Sequence, residues 1–274
     1  MSRLSSTASG VANRWADQWI GIFELIGSIT LLAGLVAKCL HASVMLRKVR
    51  FGMPAAIAQV VRVGVRSVSI VMLVSGCIGI ILALQTSPSL ADFGQTDKVA
   101  NLIAVAVFRE LGPLVAAIVL TGFAGASIAA ELGTMVVGEE IEALESMALD
   151  PIRFLVVPRV VAAAISLVLL AVIGDLTSVI MGGMTGVFFL DIPYELYKSN
   201  TIDQLDVGDF VSGLFKAGVF GVILGLIACH NGLRVTGGAA GVGKATTETV
   251  VQTVVMVVIA DLLFSALFYA FGWN

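Results

Sequence analysis

The chain has 274 residues, of which 58% are hydrophobic and 13% are charged. Soluble domains contain about 45–50% apolar residues, so this composition excludes an ordinary soluble protein and indicates an integral membrane protein. A formal net charge of -3 also excludes nucleic acid as a partner, because a polyanionic backbone requires a basic surface. The cysteines Cys39, Cys77 and Cys229 lack metal-ligand or redox spacing, and we expect no disulfide, no metal and no cofactor.

The N-terminal region, residues 1–50, is predicted to be a cytoplasmic or interfacial segment. It lacks the compact apolar core and small-residue cleavage site of a secretory signal, so we expect it to be retained. The uncharged core from Leu25 to Ala37 is shorter than a membrane span, and Trp15 and Trp19 lie one helical turn apart. This pattern favours a helix lying in the membrane interface over residues 20–40, with a sixth span as the alternative.

Five apolar stretches follow within residues 51–274, the predicted transmembrane domain. Each is long enough to cross the hydrocarbon core, which takes about 20 apolar residues of helix. They are Ser67–Ser87, Asn101–Ala130, Val156–Leu190, Phe210–Cys229 and Val250–Trp273. The sequence therefore predicts an all-α integral membrane fold with five transmembrane helices.

Lysine and arginine are unevenly distributed over the connecting segments, which predicts the orientation of the chain. Basic residues are concentrated before the first span and recur in the second and fourth connectors, whereas the first and third connectors contain one lysine each. We therefore expect the N-terminus and the connectors over residues 131–152 and 231–248 to be cytoplasmic. The connectors over residues 88–98 and 191–209 and the C-terminus are expected to be periplasmic.

Six charged residues fall within the predicted spans, where an unpaired charge costs about 3 kcal/mol, and four of them carry specific expectations. Arg109 and Glu110 are neighbours and point about 100° apart on a helix, so each is expected to pair with other groups as well. Two positions fit this pair equally, one lining a cavity and one at the level of the lipid headgroups. Asp175 and Asp261 are expected to bond a neighbouring helix through a hydroxyl or backbone group rather than to relay protons.

The connector over residues 131–152 contains an amphipathic acidic segment. Ile141, Leu144 and Ala148 repeat at helical spacing, glutamates cover the remaining surface, and Asp150-Pro151 is expected to end the helix. A solvated connector resting on the membrane is one interpretation. Because glutamates are repelled by an anionic inner leaflet, docking of a basic protein partner is the favoured one.

The stretch TGGAAGVGKATTETVV, residues 236–251, has the glycine and lysine spacing of a Walker A loop. The position that should hold Ser or Thr is Ala245, and a membrane helix rather than a strand precedes the stretch. We therefore interpret it as a glycine-rich turn between the last two spans, followed by a threonine cap. ATP is then bound and hydrolysed by another subunit.

Five spans enclose too little volume for a translocation path, and an odd number disfavours the inverted repeats of secondary transporters. A symmetric dimer with the path at its interface resolves this difficulty.

Two blocks of the sequence resemble a known family, the MlaE-type permeases of MCE-associated ABC phospholipid transporters. These are FRELGPLVAAIVLTGFAGASIAAELGTMVVGEEIEALESMALDPIRFLVVPRVVA, residues 108–162, and NGLRVTGGAAGVGKATTETVV, residues 231–251.

The resemblance covers about residues 45–272 and implies an arrangement of subunits. It implies a homodimeric permease of the bacterial inner membrane that moves phospholipids to or from a periplasmic hexameric MCE protein. Two cytoplasmic ABC ATPase subunits would bind ATP and Mg, and the arrangement allows a small accessory subunit. The permease itself is expected not to be an enzyme.

The resemblance also implies two sets of functional residues. A lipid pocket between the two copies would be formed by Leu82, Gln85, Leu90, Phe93, Arg109 and Glu110. A cytoplasmic coupling helix between spans two and three, corresponding to residues 138–149, would dock the ATPase through Gly138, Glu139, Glu140, Glu142, Leu144, Glu145, Met147 and Leu149. The acidic character of this segment departs from the family pattern.

Two other functions are compatible with the hydropathy alone. One is a stand-alone, proton-coupled secondary transporter of a small solute that uses Asp175 or Asp261. The other is a structural membrane scaffold without a bound lipid.

Overall fold

A computed structural model of the chain describes residues 27, 29–34, 36–38 and 53–272. The chain divides after Arg50 into two units, and the described residues of the first unit are helical. The interfacial helix predicted for residues 20–40 lies largely outside the described residues, as do Trp15 and Trp19, so it stays a prediction.

The second unit is a helical bundle, and its described residues contain no strand. Five of its helices are long and apolar enough to cross a membrane, which confirms the predicted number of spans. They are α1 (Ile57–Ala91), α2 (Thr96–Val137), α4 (Ile152–Phe189), α6 (Val207–Leu233) and α7 (Gly238–Ala270). Two shorter helices connect them, α3 (Glu140–Ser146) and α5 (Tyr194–Gln204). We call the two ends of the bundle the α3 end and the α5 end.

The spans are longer than the predicted apolar stretches because the helices continue into polar and charged residues at their ends. α1 includes Arg62 and Arg66, which were expected to precede it, and it continues through Pro88 to Ala91. An α-helix satisfies its own backbone hydrogen bonds in water as well as in lipid, so charged turns can extend a span.

The glycine-rich turn predicted between the last two spans is present but shorter than expected, and the predicted threonine cap is wrong. α7 begins at Gly238, and the turn is restricted to the residues before it, where Gly237 has a φ of 84°. No threonine side chain caps the helix. An ideal Cβ on Gly241 would lie 1.9 Å from the Thr236 carbonyl oxygen. Glycine is therefore required here because the first turn of α7 lies directly against the connector.

α5 was not predicted, because its sequence has no clear apolar period. Its position depends on tertiary contacts instead. The Tyr197 ring lies against Gly183 and Gly186 of α4, and Asn200 Nδ2 donates a hydrogen bond to the Asp97 carbonyl at 2.8 Å. These contacts fix α5 across the ends of α2 and α4.

α4 is the central helix of the bundle, with 61% of its most apolar window buried. It meets α1 at close range, where Ser178 Oγ donates a hydrogen bond to the Ser75 carbonyl at 2.6 Å. An ideal Cβ on Gly79 would lie 2.0 Å from the Ser178 carbonyl oxygen. Small residues at such crossings let the backbones approach, which drives association of helices in lipid.

Replacing Gly79 with alanine is expected to lower the free energy of unfolding by about 1–3 kcal/mol, because α1 and α4 must separate. Gly122→Ala is the matched control, since nothing lies within 4 Å of an ideal Cβ there. The control should be neutral or stabilising by up to about 1 kcal/mol. Denaturant titration of both variants in detergent measures the difference, and equal stability of the two variants would contradict the close crossing.

Candidate functional site

A cluster of charged side chains lies inside the bundle where α2, α6 and α7 meet. Lys216 Nζ donates hydrogen bonds to Glu110 Oε2 at 2.6 Å and to Asp261 Oδ1 at 3.0 Å. Ser265 Oγ lies 3.1 Å from the same ammonium group and donates to Glu110 Oε1 at 2.6 Å. The Lys216 side chain is only 2% exposed. One buried ammonium group thus connects carboxylates from two other helices.

A π-helical turn in α2, Val107–Leu111, places the two charged residues of this helix. Such turns are frequent at functional sites, although the described part of the chain has three others, at Val61–Val65, Thr121–Gly125 and Ile152–Val156. Pro113 has no N–H to donate to the carbonyl of Arg109 four residues earlier, and this missing bond accommodates the π turn. Glu110 then faces Lys216, while Arg109 Nε donates to Asp209 Oδ1 at 2.7 Å.

A cavity of about 800 Å³ lies beside this cluster at the α5 end. Its walls include Val211 and Phe215 of α6 and Leu267 and Phe268 of α7, and the Arg109–Asp209 ion pair also lines it. Lys216 Nζ lies 5.8 Å from the centroid of the Phe268 ring, so the cavity and the charge cluster share a wall. The size is that of a small-molecule site, and the lining is mostly apolar, with Asp206 as a charged group besides the ion pair.

The residues predicted to form the lipid pocket fall into two groups in the single chain. Leu82 and Leu90 are partly buried against a core cluster that contains Val107. Gln85 is exposed on α1, and Phe93, in the turn that follows α1, is 80% exposed. Arg109 and Glu110 face α6 and α7 instead. The chain alone therefore does not bring the α1 residues and the two charged residues into one cavity.

The expected pairing of Arg109 and Glu110 with other groups is confirmed, but the expectation for Asp261 is wrong. Asp261 bonds an ammonium group rather than a hydroxyl or backbone group. Asp175 is 1% exposed, and its Oδ1 has no hydrogen-bond partner among the described residues. An ideal Cβ on Gly112 would overlap this oxygen, so only glycine fits opposite it.

Lys216 was not singled out from the sequence, although a signal for it exists. Lys216 lies nine residues after the start of α6, and Asp261 lies nine residues before the end of α7. At 1.5 Å per residue, both lie about 13 Å from the α5 end. A lone lysine and a lone aspartate at equal depth in adjacent antiparallel spans predict an ion pair.

The acidic connector forms α3, which is shorter than the predicted region of residues 138–149. Glu139 precedes the helix with a φ of 59°, and Ala148 follows it with a φ of 58°. The helix thus ends at Ser146, before the expected Asp150-Pro151 stop. Ala148 is exposed outside the helix rather than part of an apolar stripe, because its backbone has left the helical conformation.

The predicted docking residues lie on an open surface at the α3 end. Gly138 and Met147 are exposed, as are the four glutamates Glu139, Glu140, Glu142 and Glu145, whereas Leu144 and Leu149 are half-buried. Nearby in the chain, Glu131 Oε1 of α2 forms ion pairs with Arg62 at 2.9 Å and with Arg159 at 3.2 Å. The Glu131 carboxylate thus links α1, α2 and α4 near the α3 end.

Two other kinds of site, a metal cluster and a phosphate-binding loop, are not found in the described part of the chain. Its residues contain no group of three or more metal-ligating side chains. The Walker-like Lys244 lies on an α-helix, is 77% exposed and pairs with Glu248 one turn later at 3.6 Å. A phosphate-binding loop needs a non-helical backbone whose N–H groups point at the phosphate, and this segment does not provide one.

Five apolar spans, three of which are joined by paired charges, define a multi-pass membrane protein. Comparison with known proteins identifies it further. Residues 56–267 match the model of the family described as permease MlaE. The chain belongs to the MlaE permease family, which confirms the resemblance noted in its sequence.

Named relatives agree with this assignment. A probable ABC transporter permease protein of Rickettsia prowazekii (strain Madrid E) is 36% identical over 252 residues, which cover 92% of this chain and 93% of the relative. A probable ABC transporter permease protein of Synechocystis is 33% identical over 211 residues, or 77% of this chain and 80% of the relative. The chloroplastic protein TRIGALACTOSYLDIACYLGLYCEROL 1 of Arabidopsis thaliana is 33% identical over 211 residues, or 77% and 60% respectively. A permease role follows.

Proposed function

We propose that this chain is the membrane subunit of an ABC transporter that moves phospholipids between the bacterial inner membrane and a periplasmic MCE protein. The observation that carries the proposal is the cavity of about 800 Å³ at the α5 end. Its apolar walls suit acyl chains, and the Arg109–Asp209 pair supplies polar contacts for a head group. One relative is named after a galactolipid, which supports a lipid as the cargo.

A homodimer is part of the proposal because two spans leave most of their surface uncovered. In the most apolar window of α7 only 17% of the residues are buried, and in that of α1 only 33%. A second copy packed on these helices would bring Gln85 and Phe93 opposite their equivalents. A pocket between the copies would then unite the α1 residues with the charged cluster of α2, α6 and α7.

The energy for transport is proposed to come from two cytoplasmic ATPase subunits that bind ATP and Mg and dock on α3. Four exposed glutamates surround this short helix, and they suit a basic cleft on the partner. Glu131 joins three spans directly before α3, so a displacement of α3 would reach the whole bundle. In this orientation the α3 end and the N-terminus are cytoplasmic, and the α5 end and the C-terminus are periplasmic.

Purification of the full chain in mild detergent, followed by lipid mass spectrometry, tests the cargo. We expect about one or more phospholipids per dimer, and we expect Leu82→Trp to lower this amount several-fold by narrowing the proposed pocket between the two copies. Leu169→Trp is the control, because Leu169 is a 53% exposed residue of α4. Retention of the same lipid amount by the Leu82 variant would contradict a pocket at this position.

A further inference from the structure

A second apolar groove, of about 570 Å³, lies between α5 and the outer half of α4. On α4 it is lined by Val179, Ile180, Gly183, Met184, Val187 and Phe188. These residues share one face of the helix and extend over nine residues, or about 13 Å. This is close to half of the hydrocarbon thickness, about 30 Å, and therefore to the depth of one leaflet.

The side of α5 that faces the groove has a distinct composition. Its lining residues are Tyr194, Tyr197, Lys198, Thr201 and Ile202, which repeat at helical spacing. The acidic residues of α5, Glu195 and Asp203, are not among them, and Asp203 accepts a hydrogen bond from Ser199 instead. The groove thus contains one charge, a cation, at the boundary between its apolar part and water.

Tyr197 provides an independent indication of a polar ligand. Its side chain lines the groove, the residue is only 5% exposed, and its hydroxyl has no hydrogen-bond partner among the described residues. Buried hydroxyls normally have a partner, because an unsatisfied one costs about 1–3 kcal/mol. Burial raises the pKa of this phenol to about 12, so it remains a hydrogen-bond donor at neutral pH.

We propose that this groove binds one anionic phospholipid of the leaflet at the α5 end, with an acyl chain along α4 and the phosphate at Lys198 and Tyr197. The inference concerns a site outside the proposed transport pocket and does not require transport. The groove and the pocket residues Leu82 and Leu90 are nevertheless close, because Val179, Leu82 and Leu90 pack against the same core cluster.

Photolabelling of the full chain in phosphatidylcholine nanodiscs tests the site. The probe is phosphatidylglycerol with a diazirine on one acyl chain, and labelled peptides are identified by mass spectrometry. We expect labelling on the segment that contains Met184 and Phe188, and a loss of about fivefold in Lys198→Ala. Lys198→Arg should keep the labelling, which separates loss of charge from misfolding. Lys98→Ala, at the same end but outside the groove, should have no effect.

Three outcomes would overturn the proposal. The first is equal labelling by a phosphatidylcholine probe, which indicates ordinary bilayer contact. The second is unchanged labelling in Lys198→Ala, and the third is displacement of the probe by soluble glycerol phosphate. Val211→Trp, which fills the cavity of about 800 Å³ and lies outside the groove, should leave the groove labelling unchanged. A failure of this site and a failure of the transport pocket are therefore distinguishable.

Discussion

Replacing Lys216 with methionine is expected to lower the free energy of unfolding by about 3–5 kcal/mol. The substitution keeps an unbranched side chain of similar length but leaves the carboxylates of Glu110 and Asp261 without their shared cation. Water cannot fully replace the lost cation, because the Asp261 side chain is only 10% exposed about 13 Å inside the α5 end. Denaturant titration in detergent, followed by circular dichroism, measures the loss.

A control variant and a rescue variant test the same arrangement of charges. Lys244→Met removes a 77% exposed lysine and should cost less than about 0.5 kcal/mol. Combining Lys216→Met with Glu110→Gln and Asp261→Asn should recover part of the lost stability, because no uncompensated charge remains in the bundle. A triple variant less stable than Lys216→Met alone would show that the cluster is not held together by this charge pairing.

Reversing the charges of Glu139, Glu140 and Glu142 to lysine is expected to weaken ATPase association by at least about tenfold. Each of these side chains is exposed at the α3 end, and placing like charges opposite a basic cleft costs several kcal/mol in such an interface. Co-purification with the ATPase subunit and surface plasmon resonance at two salt concentrations measure the change. The bundle should keep its stability, because none of the three residues is buried.

The matched control reverses Glu195 and Asp203, the acidic residues of α5 at the opposite end. It changes the net charge in the same direction and should leave ATPase association unaffected. Equal weakening by both variants would show that overall charge, and not the α3 surface, controls association. Unchanged binding of the α3 variant would remove α3 as the docking element.

The existence of five spans could be predicted because lipid forces apolar residues into self-satisfied helices about 20 residues long. The ends of the spans could not, because helices such as α1 continue past Pro88 and past Arg62 once their ends leave the hydrocarbon. α5 could not be predicted either. Tyr197 and Asn200 fix it through contacts with residues about 11 to 103 positions away in the chain, and no local pattern encodes such contacts.

The candidate site was predictable in part for a similar reason. Arg109 and Glu110 attract notice because charges in an apolar span need partners. Their partners Asp209, Lys216 and Ser265 come from two later helices, and a π turn sets the direction of each side chain. A pattern read at 100° per residue cannot anticipate that turn, although Pro113 favours it.

Transfer of a fluorescent phospholipid in proteoliposomes is the most direct test of the permease proposal. The chain is reconstituted with or without its ATPase subunit, and transfer to an acceptor MCE protein is followed with and without ATP. Transfer should require both the ATPase subunit and ATP, and Leu82→Trp should reduce it strongly. Transport of a small solute by the chain alone, driven by a pH gradient and abolished by Asp175→Asn, would contradict the proposal.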